Sequence, residues 1–135
     1  MKIVAGIVLA ALGVLVGCGE SGVGSPGRTV VSNGGNYSVS YETTPATIPM
    51  NEPFTVVFRV SPKSGAAAAD LKAEIDARMP AHGHGMNRAP KLSKTADGAI
   101  KAEGMLFHMP GHWEMYFDIT EGGRSERAQV DVQLK

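Results

Sequence analysis

The sequence predicts an all-β fold, an antiparallel sandwich of about seven short strands. Three observations carry this. Apolar and polar residues alternate with period two after residue 36, the alternating runs are rich in β-branched and aromatic residues, and Pro and Gly interrupt the chain between them at short intervals. Such alternation gives each strand one buried and one solvated face, which two sheets packed over one core require.

The chain begins Met1-Lys2 and continues through residues 3–16 without a charged side chain, the n-region and h-region of a secretory signal. This run is too short to cross a hydrocarbon core of ~30 Å, for which a helix needs about 20 apolar residues. It ends in Leu15-Val16-Gly17-Cys18, which resembles the lipobox of bacterial lipoproteins. That resemblance implies removal of a signal peptide of residues 1–17 and lipidation of Cys18. The expected product sits on the periplasmic side of the cell envelope and meets the membrane through its lipid anchor. Gly19, standing where enterobacterial inner-membrane retention uses Asp, favours the outer membrane. Cys18 is the one cysteine of the chain, so once lipidated it leaves no thiol for a disulfide or a metal.

Residues 18–36 are rich in Gly and Ser and lack a sustained apolar pattern, so they read as a flexible tether. As a random coil of about 18 residues it spans roughly 20–25 Å. The folded domain is then expected over residues 37–135, enough for one core and not for two. Expected strands cover 37–41, 54–60, 71–77, 100–103, 113–119 and 128–134. Residues 66–77 contain a run of alanines, but the alternation over 71–77 favours strand. In 113–119, parity places Trp113, Met115, Phe117 and Ile119 on the core face and His112, Glu114, Tyr116 and Asp118 on the other. In the strand before it, Ile100, Ala102 and Leu106 share a face. The link Met109-Pro110-Gly111-His112 suits a type II turn, which matches the twist of a tight hairpin poorly. A corner from one sheet to the other fits it at least as well.

Thirteen Lys and Arg balance thirteen Asp and Glu, and no basic cluster stands out, so the chain shows no electrostatic footprint for nucleic acid. No catalytic motif is visible, and the expectation is a protein that is not an enzyme.

The chemistry concentrates in two windows, Met79-Pro80-Ala81-His82-Gly83-His84-Gly85-Met86 and Met105-Leu106-Phe107-His108-Met109-Pro110-Gly111-His112. All four histidines lie in them, and five of the seven methionines lie in or beside them. Imidazole nitrogen with thioether sulfur is a ligand set for copper, as Cu(I) or Cu(II), with sulfur favouring Cu(I). The candidate metal ligands are His82, His84, Met86, His108, Met109 and His112; parity assigns Met115 to the core. A blue-copper site needs a Cys thiolate, and none remains. In an immunoglobulin-like sandwich the third strand runs antiparallel to the sixth, which brings the end leading into His82 beside the start at His112.

These two windows, with Asp97-Gly98 between them, resemble the YtkA-like domain of bacterial exported proteins. That group is related to FixH-type proteins and is similar in architecture to small immunoglobulin-like copper-resistance domains. The resemblance covers roughly residues 50–135. It implies a β-sandwich and a role in copper handling or oxidase maturation, with an envelope copper protein or an oxidase as partner. FixH-type proteins carry a transmembrane helix where this chain has an expected lipid anchor, which departs from a role inside a membrane-embedded complex. The expected function is thus a lipid-anchored, extracytoplasmic copper-binding domain. Its alternative is a non-metal binding or scaffolding sandwich module of the cell envelope whose His/Met motifs only shape loops and turns.

Overall fold

The alternating segments form strands and pair into two sheets. The structure, a computed structural model, describes residues 27–135; the expected signal peptide, Cys18 and the tether up to residue 26 lie outside the described residues. The strands are β1 (Arg28–Val31), β2 (Tyr37–Thr44), β3 (Phe54–Pro62), β4 (Lys72–Met79), β5 (His84–Gly85), β6 (Lys91–Lys94), β7 (Ile100–Met105), β8 (Gly111–Glu121) and β9 (Arg124–Leu134), with a 3-10 turn at Pro80–His82 between β4 and β5. One sheet runs β1-β2-β3-β7-β6 and the other β5-β4-β8-β9, with antiparallel pairing throughout. Setting β1 aside, this is the order of an immunoglobulin-like sandwich. Among the described residues no helix is long and apolar enough to cross a membrane.

The inner faces supply the core. Val39, Val56 and Phe58 of one sheet meet Ile75, Met115, Phe117 and Ile119 of the other, all buried. Phe117 sits at the junction, with ring centres 4.9 Å from Phe58 and 5.5 Å from Tyr41. Each such side chain contributes roughly 1.5–3 kcal/mol by leaving water. The parity expected for β8 holds: Trp113, Met115, Phe117 and Ile119 are fully buried. Charged partners line the outer face, where Arg78 pairs with Glu114 and Arg127 with Asp118. The Arg127 guanidinium also lies 3.8 Å from the centre of the Tyr116 ring.

The structure refines the reading at three points. The antiparallel sandwich expected with about seven strands has nine among the described residues. The additions β1, β5 and β6 are sheet edges; β1 and β6 bury almost nothing, so no hydrophobic alternation announces them. β1 also shortens the expected tether of 18–36, because Arg28–Val31 pairs in register with Ser38–Tyr41. The third point, a correction, concerns Leu106. A bulge shifts the β3–β7 register, so that Phe54 opposes Met105 while Thr55 opposes Glu103. Gly104 is the extra residue, at φ 84°, a conformation that costs glycine nothing. The bulge reverses the parity beyond it, so Met105 and Phe107 enter the core in place of Leu106, which is half-buried.

Candidate metal centre

The connection from β7 to β8 crosses from one sheet to the other, the corner that Pro110-Gly111 allows; Gly111 sits at φ 122°. β4 and β8 are neighbours, with Arg78 opposite Glu114, so the two windows meet at one end of the sandwich. The first window turns tightly: Gly83 N–H donates to the Met79 carbonyl at 3.0 Å, and Met86 N–H to that of Ala77 at 3.2 Å. This pairs His84 with Met79 across the strands. Directly opposed residues share a sheet face, and Met79 is buried, so His84 is turned toward the interior side.

The second window has no regular pairing at residues 106–110, yet it is tied at three points. Leu106 N–H points at the Met86 sulfur at 3.5 Å. The Phe107 carbonyl accepts from Asn51 N–H at 2.8 Å, and the Met109 carbonyl accepts from Trp113 Nε1–H at 3.0 Å. Phe107 stacks on Trp113, 4.7 Å between ring centres and 4° from parallel. His108 is therefore presented from a held segment.

Three of the four histidines gather there. The His84 and His108 rings stack with centres 5.3 Å apart, and His82 lies 5.7 Å from His84. Trp113 backs the pair, its ring centre 5.5 Å from His108 and 6.2 Å from His84. Metal–nitrogen bonds near 2 Å put an ion about 3.1 Å from a ring centre, so two imidazoles sharing an ion have centres within about 6.2 Å. Both spacings fall inside that limit. The Nδ1 of His84 lies 3.0 Å from the Gly85 carbonyl. Donation there places the proton on Nδ1 and leaves Nε2 a free lone pair, the arrangement common in metal-bound histidine. His108 Nδ1 is buried without a hydrogen-bonding partner among the described residues, which leaves it open to a water molecule or an ion.

The remaining candidates divide. Met86 and Met109 are half-buried and pack against the core at this end. His112 is not part of the cluster. It precedes the buried Trp113 on β8 and so faces outward, where Nε2 lies 3.1 Å from an Asp131 carboxylate oxygen. The antiparallel pairing does bring the windows together, but strand parity turns His112 away. Trp113 is the contributor that sequence reasoning assigned to the core alone. Its place beside the second window and its core-face parity were the available signals. Among the described residues no three His, Cys, Asp or Glu side chains converge closely enough to hold a metal ion as they stand. The arrangement is a stacked pair of imidazoles with a third ring beside one of them.

The model of the YtkA-like family matches residues 29–118, well over half of the chain. The protein belongs to the YtkA-like family. Membership suggests an extracytoplasmic domain. The match begins earlier than the windows indicate, taking in β1 and β2, and ends within β8. No curated protein and no solved structure matches this YtkA-like chain significantly.

Proposed function

We propose that this YtkA-like domain binds copper at the periplasmic side of the envelope, held there by lipid on Cys18, and sequesters it or delivers it to a partner. One observation carries the reading: His84 and His108 stack at 5.3 Å while His108 Nδ1 is buried without a partner. Bare burial of that nitrogen costs roughly 1–3 kcal/mol, and a metal ion would supply the partner it lacks. The ligands are His84 Nε2 and His108 Nδ1, with His82 closing on the ion and Met86 or Met109 supplying sulfur. Thioether sulfur with imidazole favours Cu(I) over Zn(II). The role in this reading is binding.

The test is titration of the full-length protein in detergent with Cu(I) without oxygen and with Cu(II) in air. Trp113 is the single tryptophan and lies against both rings, so its emission reports occupancy. One equivalent should quench it, with the endpoint lost in His84→Ala and His108→Ala. Absence of stoichiometric uptake, or uptake indifferent to both substitutions, refutes the reading. The second reading, a scaffolding sandwich, draws on the incomplete convergence of the three rings. It predicts that both substitutions lower thermal stability while copper changes nothing.

A further inference from the structure

We propose that His82 is the exchange ligand of this centre, the one that a copper-accepting partner displaces; this rests on the copper reading above. The three histidines differ in how they are held. His108 is half-buried with its Nδ1 enclosed and its ring against Trp113. His84 is half-buried, carried by a strand and tied to the Gly85 carbonyl. His82 is exposed at the end of the 3-10 turn, outside the strands. Gly83 follows it at φ 68°, with open space around the position a Cβ would take.

The consequence is a division of labour. A ligand already fixed by its surroundings loses little freedom on binding, whereas an exposed one must be ordered when it binds, which offsets much of its bond. His84 and His108 therefore set the affinity, and His82 sets the exchange rate. It is also the ring that an approaching protein meets first. The partner is a copper protein presenting a thioether or thiolate, donors that compete well with imidazole for Cu(I). In the transfer step the partner's sulfur lone pair forms a bond to the ion as the His82 nitrogen–copper bond breaks. The ion keeps its oxidation state, and the freed His82 ring returns to water.

The experiment loads the full-length protein with Cu(I) under anaerobic conditions and mixes it with bicinchoninate, a chelator whose copper complex is coloured. Affinity comes from equilibrium competition and transfer from stopped flow. In His82→Ala, affinity should fall by less than about tenfold while transfer accelerates by more than about tenfold, a tenfold step being 1.4 kcal/mol. His84→Ala and His108→Ala should each lose at least about a hundredfold in affinity. Far-UV circular dichroism checks that each variant is folded; the exposed His82 makes its variant safe in this respect. An affinity loss in His82→Ala equal to that in His84→Ala overturns the proposal, as does an unchanged transfer rate. Either result leaves copper binding itself standing. Failure of the unaltered protein to take up Cu(I) overturns the copper reading and this inference together.

Discussion

The imidazoles of His84 and His108 lie stacked, their ring centres 5.3 Å apart and their planes 28° from parallel, though they come from different windows and different structural contexts. Two backbone devices produce this. The β4–β5 register sets His84 opposite the buried Met79, and the sheet-crossing corner carries His108 to the same end. The pairing of β4 with β8 serves both, because it fixes where the first window ends relative to the second. A ring pair so built follows from the strand register on one side and the sheet-crossing corner on the other.

His112→Ala should leave copper uptake and Trp113 emission unchanged. His112 faces away from the cluster and meets Asp131 with side chains 44% and 68% exposed. Surface pairs of this kind contribute about 0–1 kcal/mol, so the melting temperature should move little. Copper titration beside thermal unfolding checks both halves. A loss of uptake matching that of His84→Ala would show that the outward face takes part.

The contrast between His112 and His84 shows what was legible in the sequence. Period-two alternation gave six of the nine described strands and the core face of β8, because a half-buried strand writes its geometry into residue type. Clustering of His and Met marked the end of the sandwich where three rings meet. Parity applied to His112 already placed it opposite Trp113, yet its membership of the second window kept it among the candidates. β1 and β6 were invisible because, unlike the edge strand β9, they bury almost nothing that would constrain their side chains. Leu106 was misplaced because a bulge at one glycine inverts parity, and nothing in the alternation separates a bulge glycine from a loop glycine. Which ring nitrogens lack partners depends on tertiary approach and is beyond any sequence pattern.

Glu126 should make the fold sensitive to acid. Its carboxylate is buried and accepts from Ser32 Oγ at 2.6 Å, from Asn36 Nδ2 at 2.5 Å and from Asn36 N–H at 3.3 Å. The Ser32 hydrogen bond, then those from Asn36, hold the carboxyl below its usual range despite burial. A group with a depressed folded pKa adds stability above its unfolded pKa and loses it as pH falls through the folded value. The window therefore opens at the ordinary carboxylate range and extends below it. Glu126→Gln should melt at lower temperature near neutrality, with the gap to the unaltered protein closing on acidification. Melting curves across that range check the sign; a gap constant with pH would exclude the carboxylate charge as its source.

Gly104→Ala should destabilise the domain by about 1–2 kcal/mol, the cost of a left-handed backbone for a residue with a Cβ. The new methyl itself finds room, its nearest neighbour being the Arg88 side chain at 3.5 Å. The loss is thus one of backbone strain and not of packing. Since the bulge sets the parity of Met105 and Phe107, relief of that strain would have to disturb the segment leading to His108. Chemical denaturation should show a lower midpoint at unchanged slope. Gly98→Ala, at φ 83° in a turn remote from the cluster, should cost a similar amount and leave copper affinity alone.

Phe107→Ala should weaken copper binding although Phe107 carries no ligand atom. Its ring lies flat against Trp113 at 4.7 Å and edge-on to Phe54 at 5.0 Å, and it is fully buried. Truncation costs about 3–5 kcal/mol of stability through lost burial and the cavity left behind. The same cavity frees the indole that backs His84 and His108, so the pair loses its alignment. Loss of stability alone would not show this, and Phe58→Ala supplies the comparison. Phe58 is buried as deeply and packs on Phe117 at 4.9 Å, within the core between the sheets. Its truncation should destabilise to a similar degree while leaving the copper affinity of the folded protein unchanged. Titration of both variants well below their melting temperatures separates the two effects. Equal affinity losses would mean that the centre senses global stability, whereas a loss confined to Phe107→Ala assigns the alignment of the histidine pair to the Phe107–Trp113 stack.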